Sequence, residues 1–169
     1  SGFNGSLKIP DSVLFIGDFA FSFCSGFNGS LIISENLTVI STSVFRSCSN
    51  FIGNLIIPSS VISVGSYAFA SCMKFSGSLN ISDTVLNIES GAFSVCSGLN
   101  GTLKISSNMK VINSYLFEHC SKLTGSLTIP ESVVSIDSYA FSGCTGLKGD
   151  LKIPDTVLGV SSNAFSFCS

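Results

Sequence analysis

Seven cysteines are the first residues of this sequence that could carry out chemistry. They recur at a constant spacing of 24 residues, at Cys24, Cys48, Cys72, Cys96, Cys120, Cys144 and Cys168. A zinc site needs two close pairs of ligands, and no Cys-x-x-Cys occurs. Disulfides between successive units fit the Cα separation that a bridge allows, but the side chains of one repeated position should point in parallel into a core. We therefore expect a ladder of buried, reduced cysteines that act as small hydrophobic residues.

One histidine could pair with a cysteine, because His119 stands beside Cys120 and a thiol–imidazole pair is a nucleophilic catalyst. The equivalent position in the other units holds Phe, Ser, Val or Gly, which indicates a tolerant, exposed site. The two side chains should therefore point apart. Because no other acid, base, nucleophile or phosphate-binding constellation occurs, we predict no enzyme, no catalytic residue and no cofactor.

Acidic residues recur at one further position of the units, and their oxygen atoms are the ligands that calcium prefers. They are Asp11, Glu35, Asp83, Glu131 and Asp155. Asp followed by Ser or Thr is also ordinary turn chemistry. We favour the solvated turn and predict no metal site.

Five Asn-x-Ser/Thr motifs are candidate acceptors of N-linked glycans in a secreted eukaryotic protein. They begin at Asn4, Asn28, Asn36, Asn80 and Asn100. Three of them read Asn-Gly-Ser or Asn-Gly-Thr, a sequence that is equally typical of turns. The motifs therefore leave both glycosylation and plain turn chemistry open.

The spacing of the cysteines divides the whole chain into repeats that each end at a cysteine. The repeats are 1-24, 25-48, 49-72, 73-96, 97-120, 121-144 and 145-168, and we number the positions within each repeat from 1 to 24. Positions 5, 7, 9, 21 and 24 are always Gly, Leu, Ile, Phe and Cys, and positions 3, 13 and 16 are always apolar. A fixed period of this length is typical of a solenoid. We expect a single solenoid domain over 1-169, a fragment of a longer array.

Each repeat should contain a strand and a turn region. Ser6 to Ile9 alternates polar and apolar residues, which predicts a strand with Leu7 and Ile9 inward and Pro10 at its end. Val13 and Ile16 should line a short second pass, and Ser66 to Cys72 is typical of a one-turn helix. The predicted fold class is an α/β solenoid with a parallel β-sheet on one face and short turns or one-turn helices on the other.

The segment 123–144 reads Leu-x-Gly-x-Leu-x-Ile-Pro-x-Ser-Val-x-x-Ile-x-Ser-Tyr-Ala-Phe-x-x-Cys. This pattern resembles the BspA-like leucine-rich repeat, and the resemblance extends over all seven repeats. The resemblance implies a cell-surface or secreted protein of the surface-antigen or adhesin type, which adheres to host extracellular matrix, host cells or other microbes. The 24-residue unit resembles the protist versions of the repeat.

The composition of the chain limits the classes of partner that it can bind. The chain has 8 basic and 10 acidic residues and only 11% charged residues, which leaves no basic footprint for nucleic acid. Its apolar runs are far shorter than the ~18 residues of a membrane span, so we predict no direct membrane insertion. Unpaired strand edges at the ends predict end-to-end self-association.

The outward side chains of the predicted sheet are the candidate binding surface for an extracellular protein, because they vary beside a constant core. This sheet face comprises Lys8, Ile32, Asn54, Ile56, Asn80, Lys104, Thr128 and Lys152. Ile32 and Ile56 are the expected centre of contact. Further aromatic residues on the opposite side are expected to pack against neighbouring repeats or another chain, namely Phe15, Phe19, Phe23 and Phe167.

These observations favour a non-enzymatic adhesion or protein-binding module at the cell surface. The alternative is a passive spacer that carries another domain and has no ligand of its own. An ice-binding solenoid is a remote alternative, because a flat threonine ladder can order water, but position 8 holds Thr128 alone.

Overall fold

The computed structural model describes residues 2–168 and forms a solenoid in which each repeat makes one turn. Every strand is short and pairs in parallel with strands of neighbouring turns. The strands are β1 (Gly5–Lys8), β2 (Phe27–Ile32), β3 (Val39–Ile40), β4 (Gly53–Asn54), β5 (Ser63–Val64), β6 (Phe75–Ser76), β7 (Leu79–Asn80), β8 (Asn87–Ile88), β9 (Leu103–Lys104), β10 (Val111–Ile112), β11 (Ser135–Ile136) and β12 (Gly159–Val160).

The strands form two rows, one for each pass of the chain. The predicted sheet at positions 6 to 9 is present but interrupted, as the pairs β1–β2 and β7–β9 and the isolated bridge between Thr128 and Lys152. The pair β4–β6 lies just before it in the repeats, at positions 5 and 6 of one turn and 3 and 4 of the next. The second pass carries the three-stranded groups β3–β5–β8 and β10–β11–β12. Leu7 pairs with Leu31 and Val39 with Ser63, so at positions 7 and 8 and throughout the second pass the register advances by one repeat of 24 residues. Near position 5 it is two residues shorter, as in the pair of Gly53 with Phe75. Residues at one position therefore lie in a row along the solenoid.

Aromatic rings at position 21 fill the core as a continuous stack. Neighbouring rings from Phe21 to Phe165 lie 5.3 to 5.9 Å apart between centroids and are close to parallel. Position 3 adds a second stack from Phe3 to Phe75, with centroid distances of 5.5 to 5.8 Å. In the central repeats these rings and the leucines of position 7 are buried, as the constant positions predict.

The predicted one-turn helix at Ser66 to Cys72 is wrong, and the residues form consecutive turns instead. Tyr67 and Ser71 have φ values of 55° and 61°, a left-handed conformation that no α-helix contains. The amides of Tyr67 and Phe69 donate to the next repeat, at 3.0 Å to the Ser90 carbonyl and 2.8 Å to the Ala92 carbonyl. Hydrogen bonds from these amides to carbonyls of the next repeat take the place of the hydrogen bonds that would run along an α-helix. The same conformation recurs at positions 19 and 23 of every repeat.

Glycine is required at position 5 for two different structural reasons. In five repeats it has a positive φ, for example 80° at Gly53, where a side chain is strained. In the other two it is Gly29 or Gly101, and a Cβ there would meet the preceding turn. At Gly29 that Cβ would lie 2.7 Å from the Ser6 backbone nitrogen.

Candidate functional site

The position 8 side chains of the sheet face are exposed in every repeat, as the strand alternation requires. The exposed fraction of Ile32 is 48% and that of Ile56 is 65%, although each follows a buried leucine. Asn54, at position 6, is exposed as well. The members of the sheet face therefore lie along one surface with the core directly beneath them.

Small hydroxyl side chains at position 6 connect neighbouring strands of this surface. The Ser30 amide donates to the Ser6 hydroxyl at 3.0 Å, and the Thr102 amide donates to the Ser78 hydroxyl at 3.0 Å. The hydroxyls of Ser78 and Thr102 also lie 3.2 Å apart. These bonds fix the backbone beside position 8, so that the variable side chains stand on an ordered surface.

One ion pair borders the sheet face. The Lys104 ammonium lies 3.2 Å from the Asp83 carboxylate, and both side chains are about half exposed. The Ser107 backbone amide donates to the same carboxylate at 2.8 Å. The Ser107 amide, with Lys104 as the second cause, holds the pKa of Asp83 below its ordinary value. Asp83 thus couples a residue of the sheet face to the turn of the next repeat.

Two carboxylates of the acidic row, those of Asp11 and Asp83, bind backbone amides of the following turn. The Asp11 carboxylate accepts a hydrogen bond from the Glu35 amide at 3.0 Å, the same kind of contact to the following repeat that Asp83 makes. Within residues 2–168 no three His, Cys, Asp or Glu side chains lie together as metal ligands do. Asp11 and Asp83 therefore cap the neighbouring turn, which is the role that turn chemistry gives such residues.

The five candidate glycosylation sites are all exposed, but several of their amides also support the fold. The Asn28 side-chain oxygen accepts from the Gly5 amide at 2.9 Å, and the Asn100 oxygen accepts from the Gly77 amide at 2.8 Å. The Asn36 side-chain nitrogen donates to the Asp11 carbonyl at 2.9 Å. The turn role of these three residues is therefore visible in the contacts, and their glycosylation stays a prediction.

Five of the cysteines form the buried ladder that the sequence indicates, and Cys24 and Cys168 at its two ends are partly buried. All seven thiols are free within residues 2–168. Each thiol from the second repeat onward donates to the carbonyl of a phenylalanine in the preceding repeat, for example Cys96 to Phe69 at 3.1 Å. Burial raises the pKa of the Cys48 thiol to about 12 and that of Cys96 well above its ordinary value. His119 is exposed whereas Cys120 is buried, so the two do not form a catalytic pair.

A row of exposed apolar side chains on the second pass was missed by the sequence analysis. We name it the apolar stripe. It comprises the position 14 residues Leu14, Ile62, Leu86, Val134 and Leu158. The remaining two repeats hold Thr38 and Lys110 there. The signal in the sequence was an apolar residue in five of seven repeats directly after the inward position 13.

Exposed aromatic residues mark the first and last turns. Phe15, Phe19, Phe23 and Phe167 are 55 to 77% exposed, so the packing expected of them would need a further repeat or another chain. Inward positions are also uncovered at the last turn, where Leu151 is 44% and Ile153 is 39% exposed. The ends of the stack therefore present the apolar residues that are buried in its middle.

The chain belongs to the family described as the BspA type leucine-rich repeat region. The family model matches residues 4–124 and 124–169 in six copies. This confirms the resemblance found at 123–144. Members of the family are often surface-associated, and their solenoid is typically a protein-interaction scaffold without enzymatic activity. No curated protein sequence matches the chain significantly.

Solved structures share the fold over nearly the whole chain. A leucine-rich repeat protein from Bacteroides ovatus is 27% identical over 96% of this chain and 41% of its own, with a TM-score of 0.85. A leucine rich cell surface protein from Faecalibacterium prausnitzii is 29% identical over 98% of this chain and 45% of its own, with a TM-score of 0.81. The chain therefore spans less than half the length of both proteins.

A more distant relative confirms the fold alone. The leucine-rich repeat protein of T. pallidum is 21% identical over 96% of this chain and 76% of its own, with a TM-score of 0.82. The protist-like origin that the repeat length indicates stays a prediction. Residues 2–168 contain no helix that is both long and apolar enough to cross a membrane.

Proposed function

We propose that the chain is a non-enzymatic module that binds an extracellular protein through its sheet face, at the cell surface or after secretion. The observation that carries this proposal is the row of variable, exposed side chains at position 8 above a constant buried core. The surface relative from Faecalibacterium prausnitzii supports the location. Host matrix proteins, host cells and other microbes are the proposed targets.

The centre of the proposed contact lies on repeats 2 and 3. Ile32 and Ile56 supply exposed apolar area, and Ile52, four residues before Ile56, is 50% exposed. Lys8 and Lys104 lie on either side of this patch along the solenoid. An apolar centre with a charged rim is the usual arrangement of a protein interface, in which a few central residues contribute most of the affinity.

Solid-phase binding of the chain to a panel of matrix proteins tests the proposal, at low and at physiological salt. We expect saturable binding that persists at physiological salt, because apolar contacts at the centre are not screened. A matched control is a chain with the apolar stripe altered, I62T/L86T/V134T, which should bind as the unaltered chain does. A folded chain that binds none of the panel, host cells or microbes would favour the passive spacer instead.

End-to-end association is proposed as a second property of the isolated chain, because inward apolar residues are exposed at its ends. Light scattering over a range of concentrations should show a mass that rises with concentration. A monomer at the highest concentration would contradict it.

A further inference from the structure

The apolar stripe has no role in the sheet-face proposal, yet it is the longer exposed apolar row of the two. Its members from Ile62 to Leu158 are 40 to 88% exposed, and they lie on the second pass rather than on the sheet face. Lys110 interrupts the row in repeat 5, so its contiguous parts are the pairs Ile62 with Leu86 and Val134 with Leu158. Neighbouring exposed apolar side chains of this kind are typical of an interaction site.

The stripe is held rigidly by the backbone. The amides of Ile62 and Leu86 donate to the position 14 carbonyls of the preceding repeats, at 2.8 and 2.9 Å. Val134 and Leu158 do the same, again at 2.8 and 2.9 Å. Each apolar side chain thus stands on its own rung of a parallel ladder, so the stripe is preorganised and loses little backbone entropy on binding.

Acidic residues border the stripe on both sides. Of the ten acidic residues of the chain, five are at position 11, two are at position 17 and one is at position 18. Lys110 is the only cation between positions 10 and 18. By contrast, six of the eight cations lie at positions 2, 4 and 8. A partner that covers the stripe therefore needs an apolar ridge with positive charge beside it.

The spacing of the rungs indicates the shape of that ridge. Parallel strands lie ~4.8 Å apart, so repeats 3 to 7 span ~19 Å. An α-helix advances about 5.4 Å per turn, so four turns span ~22 Å and bring one side chain to within about half a rung of each position 14 residue. Four of these five residues are apolar, and the middle one is Lys110. An extended strand advances ~6.8 Å between side chains of one face and loses register after a few rungs.

We propose that the apolar stripe binds an amphipathic helix of a partner protein, with one apolar side chain per turn and lysine or arginine on its flanks. A second copy of this chain is a poorer occupant, because stripe-to-stripe contact would bring the acidic rows together, and the described residues contain no helix to supply. The site is separate from the sheet face, so it does not depend on the function proposed above.

Fluorescence anisotropy with a synthetic helical peptide of about four turns tests this proposal. The probe has leucine once per turn and lysine beside each leucine, and a second probe has glutamate in place of lysine. We expect saturable binding of the lysine probe, and binding at least ~10-fold weaker to I62T/L86T/V134T. Threonine occupies this position naturally at Thr38, so the variant should fold.

Two further variants test whether binding requires the stripe itself and the charges beside it. I32T/I52T/I56T removes the same number of apolar side chains from the sheet-face side and should leave binding of the lysine probe unchanged. E131Q/D137N/D155N removes flanking charges and should weaken binding about threefold to tenfold at low salt, with a smaller salt dependence.

The proposal is overturned if the stripe variant binds the lysine probe as tightly as the unaltered chain, or if the glutamate probe binds equally well. A dimer of the unaltered chain in sedimentation equilibrium that the stripe variant loses would overturn it in favour of a second copy. Circular dichroism of each variant checks that loss of binding is not loss of fold.

Discussion

The two passes of the solenoid present two exposed rows that differ in chemistry although they are built in the same way. Position 8 on the first pass holds lysines, polar residues and the pair Ile32 and Ile56, whereas position 14 on the second pass is apolar in five of seven repeats. Both rows stand on rungs that are hydrogen-bonded between turns. The backbone ladder therefore fixes where the side chains point, and the residue types in each row decide which partner fits.

Both exposed rows lie on the same core, so the largest loss of stability should come from a substitution in that core. Replacing Phe93 by alanine removes a ring that stacks on Phe69 and Phe117 at 5.6 and 5.9 Å. We expect a loss of ~3–5 kcal/mol in the free energy of unfolding, measured by urea denaturation. Phe165→Ala in the last repeat is the control and should cost less, because Phe165 is only partly buried. Equal costs would contradict a stack that is supported from both sides.

Two glycines, one in each pass, should respond differently to alanine. A Cβ on Gly29, in the first pass, would lie 2.7 Å from the backbone nitrogen of Ser6, whereas a Cβ on Gly159, in the second pass, would meet no atom within 4 Å. We expect Gly29→Ala to cost ~1–3 kcal/mol and Gly159→Ala to be neutral or slightly stabilising. Thermal unfolding of both variants measures this. A neutral Gly29→Ala would mean that the first pass does not require this close approach.

Asp83 lies between the two rows, and its contribution should depend on pH. Its carboxylate binds the Ser107 amide and Lys104, so its pKa in the folded chain is below the ordinary value of about 3.8. The stabilisation is therefore complete above that ordinary pKa and is lost as the pH falls through the lowered one. Asp83→Asn should lower the melting temperature near pH 7, and the difference from the unaltered chain should disappear in strong acid. A difference that persists in acid would show that the carboxylate charge is not its cause.

The smallest effects should come from the exposed rows themselves. Ile56→Ser and Leu86→Ser alter side chains that are 65% and 55% exposed, so each should change the free energy of unfolding by no more than ~0.5 kcal/mol. Urea denaturation of both variants checks this. A large loss for either one would mean that its row contributes to folding and is not free to vary for binding.

Repetition explains why so much of this fold could be predicted from the sequence. The strand at Ser6 to Ile9 and the inward cysteines follow from alternation and constancy, and the structure confirms both. The helix at Ser66 to Cys72 could not be rejected from the sequence, because its conformation depends on bonds to the next repeat. Non-glycine residues such as Val95, with a φ of 59°, adopt the left-handed conformation only because those bonds hold them.

The sequence predicted the sheet face but not the apolar stripe, and the difference has a physical reason. Exposure of Ile32 and Ile56 follows directly from a strand with inward neighbours on both sides. The apolar stripe lies where two outward positions follow each other between the inward positions 13 and 16, so neither a period of 2 nor of 3.6 describes it. Leu86 therefore reads as one more core residue until the turn is placed in three dimensions.

Recognition through the sheet face is tested most directly by the affinity of one fourfold variant for a matrix protein that binds the unaltered chain. The variant K8S/I32S/I56S/K104S changes only exposed side chains, so its free energy of unfolding should stay within about 2 kcal/mol of the original. We predict that binding at physiological salt is lost while the repeats remain folded. Binding of unchanged affinity by this variant would contradict recognition through the sheet face.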